Sequence, residues 1–246
     1  MPNEVAQLVK NHRSIRKYKD KLIPDEVLND ILTAAQWAPT SNNFQCYSII
    51  TIKDAETKKK VSELCEGQSA IETCPVFLVF CIDYFRINMA CQKNDIRFDI
   101  DQLDYLVVGA VDTTLAAENA FLTAKSYDLG GVMVGAVRKK AEQLSELLKL
   151  PRYVIPLVGM ALGYPDEDPQ QKPRFPLSGV AHNEFYSIDN AVSALEEYED
   201  ITEVYYAERT NGERSEGWSK TISNYFDKKR RPDIKDFIIR QGYSVK

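Results

Sequence analysis

LGGVMVGAVR, residues 129–138, poses the fold question: three glycines enclose a β-branched run just after a segment of helical period. A dinucleotide-binding turn needs G-x-G-x-x-G directly after a strand, and an acidic residue beyond the second strand. Gly130, Gly131 and Gly135 have a different spacing, a helix precedes them, and no acid stands where one is required. That fold is excluded. The stretch reads instead as a helix stop at Leu129-Gly130-Gly131 followed by a strand over VMVGAV, residues 132–137, with a helix over 139–150.

Upstream, residues 101–128 have helical period and are rich in Ala, Gly and Thr, which let a neighbouring helix approach closely. This is a long central helix. Residues 76–82, VFLVFCI, are apolar throughout and read as a central strand, and CYSIITI, residues 46–52, as another. Residues 22–38 form an amphipathic helix opened by Pro24, Asp25 and Glu26 and stopped by Pro39. Between helix and strand, WAPTSNNFQ (37–45) is a loop rich in hydrogen-bonding groups. Residues 155–162 are a further strand, and the four prolines within 164–176 exclude regular structure there. No repeat or low-complexity tract occurs.

The 246 residues, 44% of them apolar, can fill one compact core. A net charge of −5 argues against a nucleic-acid binder. The charge is uneven, however: residues 207–246 carry +4 and the remainder −9. Five cysteines without a C-x-x-C pair suggest free thiols in a reducing cytoplasm. Charged residues interrupt the N-terminus and the apolar stretch 103–117, so neither a signal peptide nor a membrane span is expected. Hydrolase chemistry lacks its G-x-S-x-G, and two distant histidines make no metal site. Tyr205, Tyr206 and Trp218 read as packing groups.

What remains is cationic. NHRSIRKY, residues 11–18, gathers His12, Arg13, Ser14 and Arg16 around Ile15, and QKPRF, residues 171–175, adds Lys172 and Arg174. Such groups suit a phosphate dianion and its polyol neighbour. On composition alone, unrelated solvated faces are the simpler reading. With no nucleophile, base or metal in view, a cofactor can carry the chemistry. Flavin mononucleotide (FMN) fits, needing one phosphate site, donors for its ribityl chain and hydrogen bonds around its pyrimidine ring.

Taken in order, HRSIRKY, APTSNNFQ, EGQ (66–68), LGGVMVGAVR, LKLPRYVIPLVGMALGYP (148–165), KPRFP (172–176) and Arg240-Gln241-Gly242 resemble the nitroreductase superfamily. Within it they resemble the NADPH-dependent nitro and flavin reductases, the oxygen-insensitive major type. The resemblance implies an α+β fold with a mainly antiparallel sheet flanked by helices, in an intertwined homodimer with FMN at the subunit interface. It implies an FMN-binding core over 1–200 and a basic arm over 201–246 that covers the site or wraps the partner subunit. His12, Arg13, Ser14, Arg16, Lys172 and Arg174 would surround the phosphate, ribityl chain and ring. Thr40, Ser41, Asn42, Gln45 and Gln68 would contact the flavin or its surroundings, and Met133, Val134, Gly135 and Ala136 would run along the ring. AERTNGER (207–214) resembles the family's loop for the NADPH 2′-phosphate and points to Arg209, with Arg138 and Arg231 as second-rank candidates.

The implied activity is ping-pong, two-electron hydride transfer from NADPH to nitroaromatics and quinones, with free flavin an open case. No general acid stands out, so water is the expected proton source. Two alternatives stay open: delivery of reduced FMN to a partner monooxygenase, and a non-catalytic flavin-binding redox sensor. The family it resembles often has a Ser-rich run where this chain has Thr40-Ser41-Asn42-Asn43, a departure that bears on acceptor choice rather than on cofactor.

Overall fold

The computed structural model describes residues 3–100, 102–227 and 231–244. In chain order the elements are α1 (Glu4–Lys10), α2 (Asp25–Gln36), β1 (Tyr47–Ile52), α3 (Ala55–Leu64), α4 (Ser69–Thr73), β2 (Val76–Asp83) and α5 (Phe85–Lys93). Then follow α6 (Leu103–Ser126), β3 (Gly130–Val134), α7 (Ala141–Leu147), β4 (Val154–Gly163), α8 (Ile188–Arg209), α9 (Trp218–Phe226) and α10 (Ile234–Arg240). The architecture is α+β. The strands form one antiparallel sheet in the order β1-β2-β4-β3.

β2 is apolar from Val76 to Ile82 because helices cover both faces of the sheet, and Asp83 closes the strand. Leu78 and Phe80 point into a cluster with Leu28 and Ile31 of α2 and Ala116, Ala120 and Phe121 of α6. Phe77, Val79 and Cys81 point the other way, into a cluster with Val61, Ile71, Val137 and Leu144. The small residues of α6 let it lie directly on β2. A Cβ added at Gly109 would fall 2.5 Å from Ile82 Cγ2, so helix and strand are in contact there.

β3 starts two residues earlier than its sequence suggests, since Gly130 and Gly131 already pair with β4, and it ends three earlier, at Val134, before a 3-10 turn over Gly135–Arg138. The reason is tertiary. The Leu157 carbonyl, which a longer β3 would meet, instead accepts from Arg138 Nη1, and the neighbouring Pro156 has no N–H to offer. Helix α7 is likewise shorter than 139–150, because Lys149 takes a left-handed φ of 54°.

The described chain divides into two compact units. One runs up to Pro169 and resumes at Arg231; the other begins at Gln170. The returning segment completes the first unit. Phe237 and Tyr243 are buried with Cys46, Tyr84 and Ile155, and Tyr153 N–H donates to Gln241 O at 2.9 Å. In the second unit Phe175 stacks on Tyr198 at 4.1 Å and meets Trp218 at 5.0 Å, while Glu199 accepts from Ser219 N–H at 2.8 Å. Trp218 is therefore a packing group. No helix among the described residues is long and apolar enough to cross a membrane.

Gly131 is the most constrained position on β3. A Cβ there would lie 2.4 Å from the Ala161 carbonyl oxygen and 3.2 Å from Phe121 Cε2. Backbone cannot yield as a side chain does, so Gly131→Ala should destabilise by about 3 kcal/mol and lower the melting temperature by roughly 6–12 °C. Differential scanning calorimetry checks this; an unshifted melt would mean that β4 moves aside at little cost.

Candidate functional site

The segment after α1 runs extended against the start of β3. Ile15 N–H donates to Gly131 O at 2.9 Å, and Ser14 bridges Gly131 in parallel. Ile15 is buried over Gly130, and Tyr18 Oη donates to Ile15 O at 2.7 Å. The loop after β4 holds the other side: Glu167 Oε1 accepts from Arg16 N–H at 2.6 Å and from Lys17 N–H at 3.1 Å. His12 packs 5.5 Å from the Phe121 ring.

Arg13 stands out here. Its Nε is buried without a hydrogen-bond acceptor, and the nearest carboxylate, Asp168, lies at 3.6 Å, too far to accept. A buried guanidinium donor without an acceptor calls for an anion. At the far end of β3, Arg138 and Arg231 converge on Gly135: their Nη2 atoms lie 3.2 and 3.8 Å from where a Cβ would sit. Arg231 Nη2 donates to Gly135 O at 3.3 Å, and its Nε is also buried without an acceptor. Met133 is partly exposed between these ends, whereas Val134 and Ala136 are buried. Gln68 precedes α4, whose Ile71 packs with Val132, Val134 and Ala136, and the adjoining Glu66 pairs with Lys139 at 2.8 Å. The structure thus groups residues 12–16, 68, 133–136, 138 and 231 around β3.

Residues 40–45 are not part of that group. Their loop leads into β1, at the opposite edge of the sheet and three strand spacings away, about 14 Å. Ser41–Asn43 is a 3-10 turn, and Asn42, Asn43 and Gln45 have φ of 47°, 57° and 53°. Asp112 and Arg86, neither of them a site candidate by sequence, hold this loop. Asp112, fully buried on α6, accepts from Ser41 N–H at 3.0 Å and Cys46 N–H at 3.3 Å. Arg86 Nη2 donates to Gln45 O at 2.9 Å and Tyr47 O at 2.6 Å. One clue to Asp112 existed, a lone acid among small apolar residues of a buried helix face. Burial pushes the neighbouring Cys46 thiol up to about 11, so it is no thiolate near neutral pH.

In the second unit, Arg209 Nη1 donates to Tyr205 Oη at 2.6 Å, and Arg214 lies 3.8 Å from the Tyr206 ring centroid. Lys172 Nζ is 5.9 Å from the same ring, and Arg174 Nη1 donates to Lys172 O at 2.9 Å. Tyr205 and Tyr206, themselves 5.2 Å apart, thus carry three cations rather than serving only as packing groups. Lys228 and Lys229 lie outside the described residues.

The model of the nitroreductase family matches residues 9–164, and that of the nitroreductase family C-terminal domain matches residues 172–246. The chain belongs to the nitroreductase family. It is 40% identical to an FMN reductase (NAD(P)H) of Bacillus subtilis (strain 168), over 99% of both chains. It superposes on the hypothetical oxidoreductase YcnD from Bacillus subtilis with a TM-score of 0.97, at 40% identity over 99% of both chains. NfrA1 nitroreductase from B. subtilis follows at 0.96 and 32%, covering 99% of this chain and 100% of that one. The residues of this nitroreductase fit a flavin phosphate, since the buried Arg13 Nε has no acceptor of its own.

Proposed function

We propose that this nitroreductase uses FMN to pass two electrons, as hydride, from NADPH to nitroaromatic and quinone acceptors. The observation that carries the reading is the cationic strand His12–Arg16, fastened to β3 with the Arg13 Nε unsatisfied. His12, Arg13, Ser14 and Arg16 bind phosphate and ribityl chain, with Lys172 and Arg174 as further cationic contacts. Gln68 and the backbone of Met133, Val134, Gly135 and Ala136 orient the ring. Bound FMN supplies the redox chemistry, accepting hydride and releasing it to an acceptor. The positive charge of Arg16 and Lys172 stabilises the negative charge that reduction brings. Donor and acceptor take turns at one open face, which gives ping-pong kinetics.

Thr40, Ser41, Asn42 and Gln45 complete the site from a second copy of the chain, because within one chain they face the wrong edge of the sheet. Exposed apolar side chains support a homodimer: Leu103, Val107, Val111 and Leu115 form an i, i+4 stripe on α6, and Leu177, Phe185, Tyr186 and Ile188 are exposed on the second unit. In this reading the part of the basic region that belongs to the second unit, from residue 201 onward, wraps the partner subunit, while the chain from Arg231 closes the first unit. The free, buried thiols of Cys46, Cys65, Cys74 and Cys81 suit a reducing cytoplasm.

Arg209, braced by Tyr205, selects the NADPH 2′-phosphate, with Arg138 and Arg231 as further dinucleotide contacts. Purified protein should show a flavin spectrum that NADPH bleaches anaerobically faster than NADH. Arg209→Ala should raise the NADPH KM by about tenfold, one charge-assisted contact, and leave turnover with saturating acceptor unchanged. A protein that takes up no flavin after incubation with FMN would refute the cofactor reading. The relative's name, FMN reductase, supports free flavin as an additional acceptor; steady-state rates with FMN, a quinone and a nitroaromatic rank the three.

A further inference from the structure

A carboxylate buried in the middle of a helix is costly unless both oxygens are satisfied. Asp112 meets that requirement in an unusual way. Its two oxygens accept from Ser41 N–H and Cys46 N–H, the two ends of a single loop. Between those ends stand three non-glycine residues in the left-handed region, Asn42, Asn43 and Gln45. Such conformations persist only where the surroundings enforce them, and they concentrate at functional sites. Arg86 grips the loop's exit through Gln45 O and Tyr47 O, and Nη1 holds Ser48 Oγ at 3.0 Å and Asp83 Oδ2 at 3.2 Å. The loop is clamped between a carboxylate and a guanidinium, and its Phe44 and Gln45 line a cleft of about 520 Å³ with Gln36 and Arg86.

We infer that Asp112 is a positioning residue: it fixes the left-handed conformation of the Ser41–Cys46 loop and so aims Ser41, Asn42 and Gln45 at the flavin. The clamp stands on the geometry alone, while its use toward flavin rests on the function proposed above. Asp112 also lies one residue from Val111 in the exposed stripe of α6, so the clamp is built into the helix that presents that stripe. The carboxylate touches no reacting atom; it acts through the loop.

Asp112→Asn conserves shape but turns one acceptor oxygen into an amide donor facing a backbone donor. Hydrogen exchange of the FMN-free variant, read by mass spectrometry, should accelerate roughly tenfold or more in the peptide covering residues 41–46, with β2 and β4 unchanged. The FMN dissociation constant, from quenching of flavin fluorescence, should rise by about tenfold in parallel. Unchanged exchange in that peptide, or an equal rise throughout the chain, would overturn the inference. So would faster loop exchange with unaltered FMN affinity. Failure of the wild-type protein to bind FMN would refute the proposed function and the flavin role together, and the exchange data would still report on the clamp. Should Asp112→Asn not fold, Arg86→Gln releases the same loop from its more exposed side, and the same readouts decide.

Discussion

Arg13→Ala should give a protein that melts no lower than its parent yet binds FMN about 100-fold more weakly. The opposite signs come from one atom. In the free protein Arg13 Nε is buried without an acceptor, and its ion pair with Asp168 is long, 3.6 Å, with the carboxylate 91% exposed. Losing an exposed pair of that kind costs about 0–1 kcal/mol, and removing an unsatisfied buried donor returns about 1–3 kcal/mol. Stability should hold or rise. Binding loses charge-assisted hydrogen bonds worth about 1.5–3 kcal/mol each. A thermal melt beside a fluorescence titration separates the two. A melt lowered by several degrees with unaltered FMN affinity would make Arg13 structural and move the phosphate elsewhere.

Val111→Asp should convert a dimer into monomers that retain helical circular dichroism but no longer retain FMN. Val111 is 49% exposed, so the single chain loses little packing. In a two-fold interface the substitution appears twice, and each desolvated carboxylate lacks a partner. Several kcal/mol per carboxylate corresponds to a dimer dissociation constant raised at least about 1,000-fold. Light scattering after size exclusion reads the mass, and absorbance of the same peak reads the flavin. A variant that stays dimeric would remove α6 from the interface and require another route for residues 40–45 to reach the site.

Helix α2 and strand β2 were legible because their determinants are local. Pro24, Asp25 and Glu26 open the helix within one turn, and a strand covered on both faces must be apolar along its covered length, here Val76 to Ile82. The end of β3 was not legible, since the group that terminates it, Arg138 on the Leu157 carbonyl, belongs to a contact between distant residues. The site divides the same way. The cations of residues 12–16 are visible as composition, but their attachment to Gly131 is a pairing between remote segments. Asp112 showed only as a charge interrupting an apolar run. The separation of residues 40–45 from the rest depends on strand order, which single-chain periodicity does not encode.

The return of the chain from Arg231 to its first unit has a consequence for how the protein is made. Phe237 and Tyr243 fill the cluster around Tyr84 and Cys46, and Gln241 O receives the Tyr153 N–H. A ribosome must therefore finish the whole second unit before the first can close. Until then the nascent chain carries an open apolar surface beside β2, the kind of surface that chaperones guard on emerging polypeptides.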